Sequence, residues 1–484
     1  MVYSVWVLSF LTIPLENSEM KTARYTSNIS VPVDELYRYH ASGGALQRLL
    51  PPWQDIRLKS WKGGIRTQNK AVWEQFGDIS VGSEVALSIH KGPFAVTMRA
   101  KHVEESKPHG FVDEQVQGMF QQWKHQHQFL PLSSQHSQLT DSISYSPKMS
   151  FLTSWFVERE IDKMFTFRHK RTQYDVEYFA QFAHVPKYTI AISGSTGFVG
   201  RNLLAYLRAA GHDVRAIVRT KTNNPHDILW DISKKWMEKD KLEGVDVVIH
   251  LAGESIDQRW TASAKQRILQ SRKEGTELLT STILGLQRPP KVCIFASAIG
   301  VYGSNPAYVC DEDAPMGTDF LSTVCQVWEY AAHPLKEVGI RVVQPRLGVV
   351  IGAQGGVLQK MLLPFSLGLG GKIGSGRQWM SWVALDDVLR SMLYMIHTDH
   401  VHGPINLVSP QPLQNADFTK ILGTVLHRPT WFSVPSLAIR LLFGEMGEAL
   451  VLQGARVDSH RLQQMGFSFQ WSELSSLLRF ELGI

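Results

Sequence analysis

Apolar and polar positions alternate in the first third of the chain. Such alternation indicates strands of an antiparallel sheet, and it occurs in residues 71–76, 84–89, 95–101 and 118–129. Residues 36–50 predict short helices before a turn at Pro51 and Pro52, and residues 155–182 predict one long helix. A curved sheet that packs on a long helix encloses a cavity. We therefore expect an α+β domain of the helix-grip type that holds a ligand.

The pattern changes after residue 187, where buried-strand segments alternate with amphipathic helical ones. These segments are residues 188–193, 246–251, 259–284, 292–296, 320–337 and 341–350. Their alternation is typical of an α/β fold with a doubly wound parallel sheet of the Rossmann type.

The first of these strands leads directly into a glycine-rich turn. Residues 188–193 read Tyr-Thr-Ile-Ala-Ile-Ser, and Gly194, Gly197 and Gly200 follow before a helix that ends at Gly211. In a dinucleotide-binding turn, the first glycine permits a tight exit and the second lets the backbone approach a pyrophosphate. The third lets the helix pack on the sheet, and the helix N-terminus binds the anion. The alternative is a glycine-rich turn that binds nothing.

The residue at the end of the second strand predicts which dinucleotide binds. An acidic residue there would bind the ribose 2′-hydroxyl of NAD, but the position holds Arg219, with Lys221 nearby. A guanidinium group suits the additional phosphate of NADP. We therefore predict NADP as the cofactor, and a solvated basic loop is the alternative.

Length and composition narrow the function classes. The 484 residues are too many for one ordinary domain. The net charge of +6 comes from dispersed basic residues, so no nucleic-acid partner is expected. The three cysteines, Cys293, Cys310 and Cys325, have neither disulfide-framework nor metal-site spacing. They favour a reducing compartment, and we predict a cytoplasmic protein.

The apolar N-terminus carries no targeting signal that we can identify. Residues 2–14 lack a basic region and a small-residue cleavage site, and they are too few to span a bilayer. We expect residues 1–19 to be a loose tail or a misassigned start before Met20. No membrane span is predicted.

Three motifs between residues 20 and 182 carry a resemblance to a known family. They are Pro51-Pro-Trp53, Phe111-Val-Asp-Glu-Gln115 and Trp123-Lys-His-Gln-His-Gln-Phe129. With them the segment resembles START-like, polyketide-cyclase-type domains, and the resemblance implies an apolar ligand. His125 and His127 share one strand face, but two histidines without an evident third ligand are more often ordinary polar residues. We therefore predict no metal.

A second set of motifs follows residue 188. It comprises Gly194-Ser-Thr-Gly-Phe-Val-Gly200, Leu251-Ala-Gly-Glu-Ser-Ile256, Ser271-Arg272, Ser297-Ala-Ile-Gly-Val-Tyr-Gly303, Trp328-Glu329, Arg346-Leu-Gly-Val-Val350 and the glycine-rich segment 367–378. These motifs resemble the atypical NAD(P)-dependent epimerase family of the short-chain dehydrogenase/reductase superfamily. The resemblance implies an extended reductase domain over residues 187–429, after a START-like domain over residues 20–182. It also implies a small helical C-terminal domain over residues 430–484.

The same resemblance implies the residues that contact NADP. They are Gly194, Ser195, Thr196, Gly197, Phe198, Val199, Gly200, Arg219, Leu251, Ala252, Gly253, Arg272 and Val350. The residue patterns independently support the glycine turn, Arg219 and the end of the strand before Leu251. They leave Arg272 open, because an arginine on a helix is usually solvated or ion-paired.

The chain departs from the superfamily at its proton-transfer residues. Working members use a Tyr-x-x-x-Lys pair on one helix, in which the lysine lowers the pKa of the tyrosine. Those two positions hold Leu321 and Cys325, and Ala298 occupies the place of the usual serine. The usual hydride-transfer constellation is therefore absent.

Substitute residues are available near the expected cofactor face. Tyr302 and Ser297 are the candidate catalytic residues, and simple packing or backbone hydrogen bonding is the alternative for each. Arg346 and the segment Arg377-Gln378-Trp379 are candidates for substrate contact, because arginine suits an anion and tryptophan suits a flat or sugar-like ligand. Asp386 and Asp387 begin a predicted helix, where we expect N-capping.

Two functions from different classes remain open. The first is an NADP-dependent oxidoreductase or epimerase that acts on a small organic or nucleotide-sugar substrate through non-standard proton-transfer residues. The second is a non-catalytic NADP-binding regulator, related to cell division, whose N-terminal domain binds an apolar ligand. The glycine-rich segment 367–378 favours the first, and Leu321 and Cys325 favour the second.

Overall fold

The computed structural model describes residues 20–62, 80–91, 94–147, 151–222, 224–304 and 307–484. The predicted strand 71–76 and the predicted tail 1–19 lie outside these residues. The main division between two compact units falls between Pro186 and Lys187. No helix in the described part of the chain is long and apolar enough to cross a bilayer.

The first unit is an antiparallel sheet accompanied by helices, as the alternating pattern predicted. Its strands are β1 (Lys21–Ile29), β2 (Asp55–Lys62), β3 (Glu84–Lys91), β4 (Phe94–Ser106), β5 (Gly110–Gln117), β6 (Phe120–Pro131) and β7 (Ser137–Pro147), in the spatial order β1-β7-β6-β5-β4-β3-β2. Its helices are α1 (Val33–Ala41), α2 (Gly43–Leu49) and the long α3 (Phe151–Ala180).

One strand boundary differs from the prediction. The segment 118–129 is not one strand, because residues 118 and 119 form a bend between β5 and β6. The Gln115 side chain braces this bend, since it donates to the Phe120 carbonyl at 2.8 Å. Strand β6 then directs Trp123, His125 and His127 to the buried face of the sheet.

The second unit is the predicted doubly wound α/β fold. Its main sheet has the order β11-β10-β9-β8-β12-β13-β15-β14, with β20 also paired to β15, and it is parallel except between β10 and β11. The strands are β8 (Thr189–Ser193), β9 (Asp213–Val218), β10 (Ile228–Asp231), β11 (Trp236–Met237), β12 (Val247–His250), β13 (Val292–Phe295), β14 (Ser297–Ala298), β15 (Arg341–Leu347) and β20 (Gly403–Leu407). The central strands are buried on both faces, as expected for a parallel sheet covered by helices.

Short strand pairs and helices complete this unit. The pairs are β16 (Val349–Gly352) with β19 (Trp382–Ala384), β17 (Gly371–Ile373) with β22 (Phe432–Val434), and β18 (Trp379–Met380) with β21 (Leu413–Gln414). The helices are α4 (Phe198–Ala209), α5 (Lys239–Leu242), α6 (Ala262–Leu284), α7 (Phe320–Ala331), α8 (His333–Glu337), α9 (Gly356–Ser366), α10 (Leu385–His397), α11 (Asn415–Leu426), α12 (Ser436–Gly447), α13 (His460–Gln464) and α14 (Leu474–Leu482), with a 3₁₀ turn at Ile299–Tyr302 and a π turn at Glu448–Leu452.

Two predicted elements are divided in the structure. The helix expected over residues 320–337 breaks after Ala331, because Pro334 cannot donate a backbone hydrogen bond and begins the short helix α8 instead. The strand expected over residues 341–350 breaks at Gly348. A Cβ atom there would lie 2.3 Å from the Ser381 carbonyl oxygen, so a glycine is required where the chain leaves β15 for β16.

The prediction that Asp386 or Asp387 caps a helix was wrong. The N-cap residue of α10 is Ala384, and no side chain caps this helix. The buried Asp387 carboxylate instead accepts the amide protons of Gln470 at 2.7 Å and Trp471 at 3.0 Å. It therefore binds the C-terminal segment to α10. The hydroxyl of Ser381 makes a similar attachment, because it donates to the Ala455 carbonyl at 2.8 Å.

Candidate functional site

The three glycines after β8 occupy positions with different geometric requirements. Gly194 has a φ of 74°, and a Cβ there would lie 2.8 Å from the Ala252 nitrogen. A Cβ at Gly200 would lie 2.1 Å from the Gly194 carbonyl oxygen, so α4 packs directly on the turn. A Cβ at Gly197 would meet that same oxygen at 3.3 Å and no other described heavy atom within 4 Å. The backbone at Gly197 is thus open to a pyrophosphate.

The remaining turn residues connect this opening to β16. Ser195 is buried and Thr196 is exposed, and α4 begins at Phe198 with Val199 in its first turn. A Cβ at Gly355, just after β16, would lie 2.4 Å from the Phe198 ring. The Phe198 ring therefore holds the strand of Val350 beside the N-terminus of α4, where the free amides favour an anion.

The end of β12 lies against the same turn. The Ser193 hydroxyl accepts the amide protons of Leu251 at 3.2 Å and Ala252 at 3.3 Å. Arg272 reaches this strand end from α6 and donates to the Glu254 carbonyl at 2.9 Å. A Cβ at Gly253 would lie 3.0 Å from the Arg272 guanidinium carbon. The structure thus brings Arg272, which the residue patterns left open, to the predicted cofactor strand.

Arg219 lies at the end of β9 with its side chain exposed. It makes no hydrogen bond or ion pair with the residues that the structure describes. Farther along the chain, the buried Asp227 accepts from the Asn224 side-chain amide at 2.8 Å and from the Thr222 hydroxyl. The Arg219 guanidinium is therefore exposed directly after β9 and is available to an anionic ligand.

The two candidate catalytic residues belong to one buried hydrogen-bond network. Arg346 forms a bidentate pair with Glu329, with Nε–Oε1 and Nη2–Oε2 distances of 2.8 and 2.9 Å. The Ser297 hydroxyl donates to Glu329 at 2.7 Å, and Arg346 Nη1 donates to the Tyr302 hydroxyl at 2.9 Å. Tyr302 in turn donates to Asn406 at 2.6 Å.

This network changes the interpretation of its members. Arg346 is 1% exposed, and each of its three nitrogen atoms donates within the protein. A structural role is therefore favoured over the predicted substrate contact. Tyr302 is 3% exposed, and burial raises its pKa above the ordinary value despite the opposing effect of Arg346. Catalysis by Tyr302 or Ser297 stays a prediction.

Leu321 and Cys325, which occupy the usual tyrosine and lysine positions, both lie close to Gly300. A Cβ at Gly300 would lie 3.4 Å from the Leu321 Cβ and 3.7 Å from the Cys325 Sγ. Burial raises the pKa of the Cys325 thiol to about 12. The thiol is thus neutral near pH 7 and does not supply the positive charge that a lysine would bring.

In the predicted substrate segment 377–379, one residue is exposed and the other two contact side chains or backbone of the protein. Arg377 is exposed, whereas the Gln378 amide donates to the carbonyl groups of Ile373 and Val451, both at 3.1 Å. The Trp379 ring carries the Arg456 guanidinium carbon 4.8 Å from its centroid. Of the three residues, Arg377 is the one that the geometry leaves available to a ligand, and substrate contact stays a prediction.

Sequence reasoning missed the polar partners that order this site. Asp227 and Asn406 were not predicted, and Glu329 was noted only as part of a motif. Glu329 could have been found, since it is an acidic residue in the otherwise uncharged helix α7. The partners of Asn406 are distant in sequence, and no local pattern indicates them.

Family comparisons agree with this geometry. The profile of the NAD dependent epimerase/dehydratase family matches residues 190–407. An epimerase family protein of Mycobacterium bovis is 39% identical over 292 residues, which cover 60% of this chain and 96% of that protein. The chain belongs to the NAD dependent epimerase/dehydratase family. In this family member, the profile named polyketide cyclase / dehydrase and lipid transport also matches residues 29–167, and a domain of unknown function matches residues 434–481.

Solved structures confirm the fold of this epimerase family protein. The nucleoside-diphosphate sugar epimerase from Corynebacterium glutamicum is 28% identical, with a TM-score of 0.74 over 95% of this chain and 90% of that chain. The human epimerase family protein SDR39U1, solved with NADPH, is 32% identical, with a TM-score of 0.55 over 61% of this chain and 99% of that chain. The predicted family and the predicted N-terminal domain type are thus confirmed.

Proposed function

We propose that the second unit binds NADP(H) and transfers hydride to or from a small carbonyl compound or a nucleotide sugar. The observation that carries this proposal is the open backbone at Gly197, which lies between the N-terminus of α4 and the end of β12. Gly194 and Gly200 are both required by close backbone contacts, and this supports a role for the turn in binding a pyrophosphate.

The preference for NADP over NAD rests on Arg219. Its exposed guanidinium follows directly after β9, the strand whose end contacts the ribose 2′-substituent in dinucleotide-binding folds, and a phosphate there would accept charge-assisted hydrogen bonds. The human relative solved with NADPH supports the same choice.

The residues near the expected nicotinamide ring support a role in positioning the cofactor more clearly than a role in proton transfer. When bound, NADPH supplies the hydride. Arg272 places a positive charge beside Gly253, and this charge also acts on the Cys325 thiol at the usual lysine position. Ser297 and Tyr302 remain the proposed proton-handling residues, connected through Arg346 and Glu329. Arg377 is the proposed substrate contact.

A second candidate is a regulator that binds NADP without turnover. Leu321 and Cys325 supply no acid–base pair, and the hydroxyl of Tyr302 is already hydrogen-bonded on both sides. In this alternative the dinucleotide controls the protein's state, and the N-terminal domain senses an apolar ligand.

Deuterium transfer separates the two candidates. The full chain is titrated with NADPH by fluorescence and then incubated with 4-deuterated NADPH and a panel of carbonyl compounds and nucleotide sugars. Deuterium in a product supports the enzyme, whereas saturable binding without transfer across the panel supports the regulator. Absence of NADPH binding contradicts both candidates. A Gly197→Val variant, which blocks the open backbone, is the control and should bind no NADPH.

A further inference from the structure

Four potential metal ligands lie on the buried face of the N-terminal sheet. Strands β5, β6 and β7 pair so that Asp113 lies opposite His125, and His127 lies opposite Asp141. Residues opposite each other in adjacent strands point to the same face. We call Asp113, His125, His127 and Asp141 the His–Asp cluster.

The distances within the cluster suit a single ion. Oδ1 of Asp141 lies 2.7 Å from Nδ1 of His127 and 3.3 Å from Nε2 of His125. Ligand atoms of Asp113, His125 and His127 all lie within 4.8 Å of one another. Tetrahedral Zn²⁺ with bonds near 2.0–2.1 Å requires ligand atoms about 3.3 Å apart. The His125–Asp141 separation matches this distance, whereas His127 and Asp141 would have to move apart by roughly 0.6 Å to bind the same ion.

These close atoms lie at ion-pair distances but do not meet hydrogen-bond geometry. His125 Nε2, His127 Nδ1 and Asp141 Oδ1 are buried, and none has a partner in hydrogen-bond geometry among the described residues. Buried polar atoms without partners are rare in native proteins because they are energetically costly. A shared cation would satisfy all three at once.

The outer ends of the two carboxylates are already oriented. His102 Nδ1 lies 3.0 Å from Asp113 Oδ1, and His169 Nε2 lies 3.2 Å from Asp141 Oδ2. His169 is fixed on its other side by the Ser27 hydroxyl, at 2.9 Å. Outer contacts of this kind orient carboxylate and histidine ligands in metal sites.

The two carboxylates of the cluster can attract a cation. Arg168 interacts electrostatically with both Asp113 and Asp141, so it offsets part of their charge.

We propose that Asp113, His125, His127 and Asp141 bind one divalent transition-metal ion of the zinc type. Two imidazoles and two carboxylates form a ligand set that Zn²⁺ accepts. Four protein ligands complete a tetrahedral shell, so the ion would stabilise the N-terminal sheet and leave no open position for a further ligand. The side chain of Asp113 is 29% exposed, so the site is reachable from solvent on that side.

Cobalt titration of the full chain tests this proposal. The protein is stripped with a chelator and titrated with Co²⁺ alone, whose visible absorption reports tetrahedral ligands, and Zn²⁺ is then added in competition. We expect stoichiometric Co²⁺ binding that Zn²⁺ reverses, and a higher melting temperature with metal. If the wild-type chain shows neither cobalt binding nor a higher melting temperature with metal, the proposal is overturned.

Substitutions of the proposed ligands test which residues bind the metal ion. His125→Gln and His127→Gln should abolish the cobalt spectrum, whereas His136→Gln, in the exposed turn between β6 and β7, should leave it unchanged. Should the histidine variants fail to fold, Asp113→Asn decides, because its side chain is only partly buried. His102→Ala should weaken affinity about 10–100-fold. An unchanged spectrum in the folded ligand variants would also overturn the proposal.

Discussion

The glycine turn and the network around Tyr302 lie in the same α/β unit but are built in different ways. The turn is made of backbone from one continuous segment, and two of its three glycines are required by close contacts, since a Cβ at Gly200 would lie 2.1 Å from the Gly194 carbonyl oxygen. The network is made of side chains from separate elements: Tyr302 from the 3₁₀ turn, Glu329 from α7, Arg346 from β15 and Asn406 from β20.

This difference explains how the chain keeps one feature of its superfamily and lacks another. Dinucleotide geometry depends on the backbone at Gly194 and Gly200, so it does not require particular proton-transfer residues. Leu321 and Cys325 can therefore occupy the usual tyrosine and lysine positions without disturbing the turn. Dinucleotide binding and proton transfer are separable properties of this fold.

The largest effect is expected from Glu329→Gln in the side-chain network. The change leaves the Arg346 guanidinium buried without a counter-charge, which should lower the free energy of unfolding by about 3–5 kcal/mol. Urea denaturation measures this loss, and Glu337→Gln on the exposed surface is the matched control. A loss below about 1 kcal/mol, the range of surface pairs, would contradict the structural role of the network.

The turn is tested by comparing Gly200→Ala with Gly197→Ala. The new Cβ at position 200 meets a backbone carbonyl, so this variant should lose about 3 kcal/mol of stability, the upper end for overpacking. The new Cβ at position 197 meets only the Gly194 carbonyl oxygen, at 3.3 Å, so most of the stability should be kept while NADPH affinity falls. Calorimetry and NADPH titration check the pair. Equal melting temperatures for the two variants would refute the assigned roles.

The preference for NADPH over NADH tests the role of Arg219, which follows β9. Wild-type protein should bind NADPH more tightly than NADH, and Arg219→Asp should abolish or reverse the preference. Loss of a charge-assisted contact is worth about 2 kcal/mol, or roughly 30-fold in affinity. Isothermal titration with both cofactors provides the measurement. Equal wild-type affinities would show that Arg219 is a solvated loop residue.

The smallest effect is expected from Tyr302→Phe. The change leaves Asn406 without its donor, while Arg346 Nη1 keeps its bond to the Glu312 carbonyl at 3.1 Å. We expect a stability loss of about 1 kcal/mol and NADPH affinity within a few-fold of wild type. A general acid would instead lower turnover by about 100- to 10,000-fold. A drop of that size with any substrate would make Tyr302 catalytic.

The same contrast separates what the sequence predicted from what it did not. The glycine turn, β9 and Arg219 were predicted because each depends on residues close together in the chain. The contact of Asp387 with Gln470 and Trp471 was not, because helix-start statistics describe only local partners. Likewise, the third and fourth potential ligands beside His125 and His127 come from adjacent strands, and strand register is not readable from one strand's pattern.

The contacts of Asp387 and Ser381 with the C-terminal segment affect when the α/β unit can finish folding during synthesis. Asp387 and Ser381 are synthesised well before the residues that satisfy them, which lie at positions 455–471. While the ribosome is still translating that interval, a carboxylate destined for the interior has no amide donors. The α/β unit therefore cannot reach its final packing during synthesis of its own sheet. We therefore expect a chain that ends inside this interval to be less stable than the full chain, because Asp387 would lack its two amide donors.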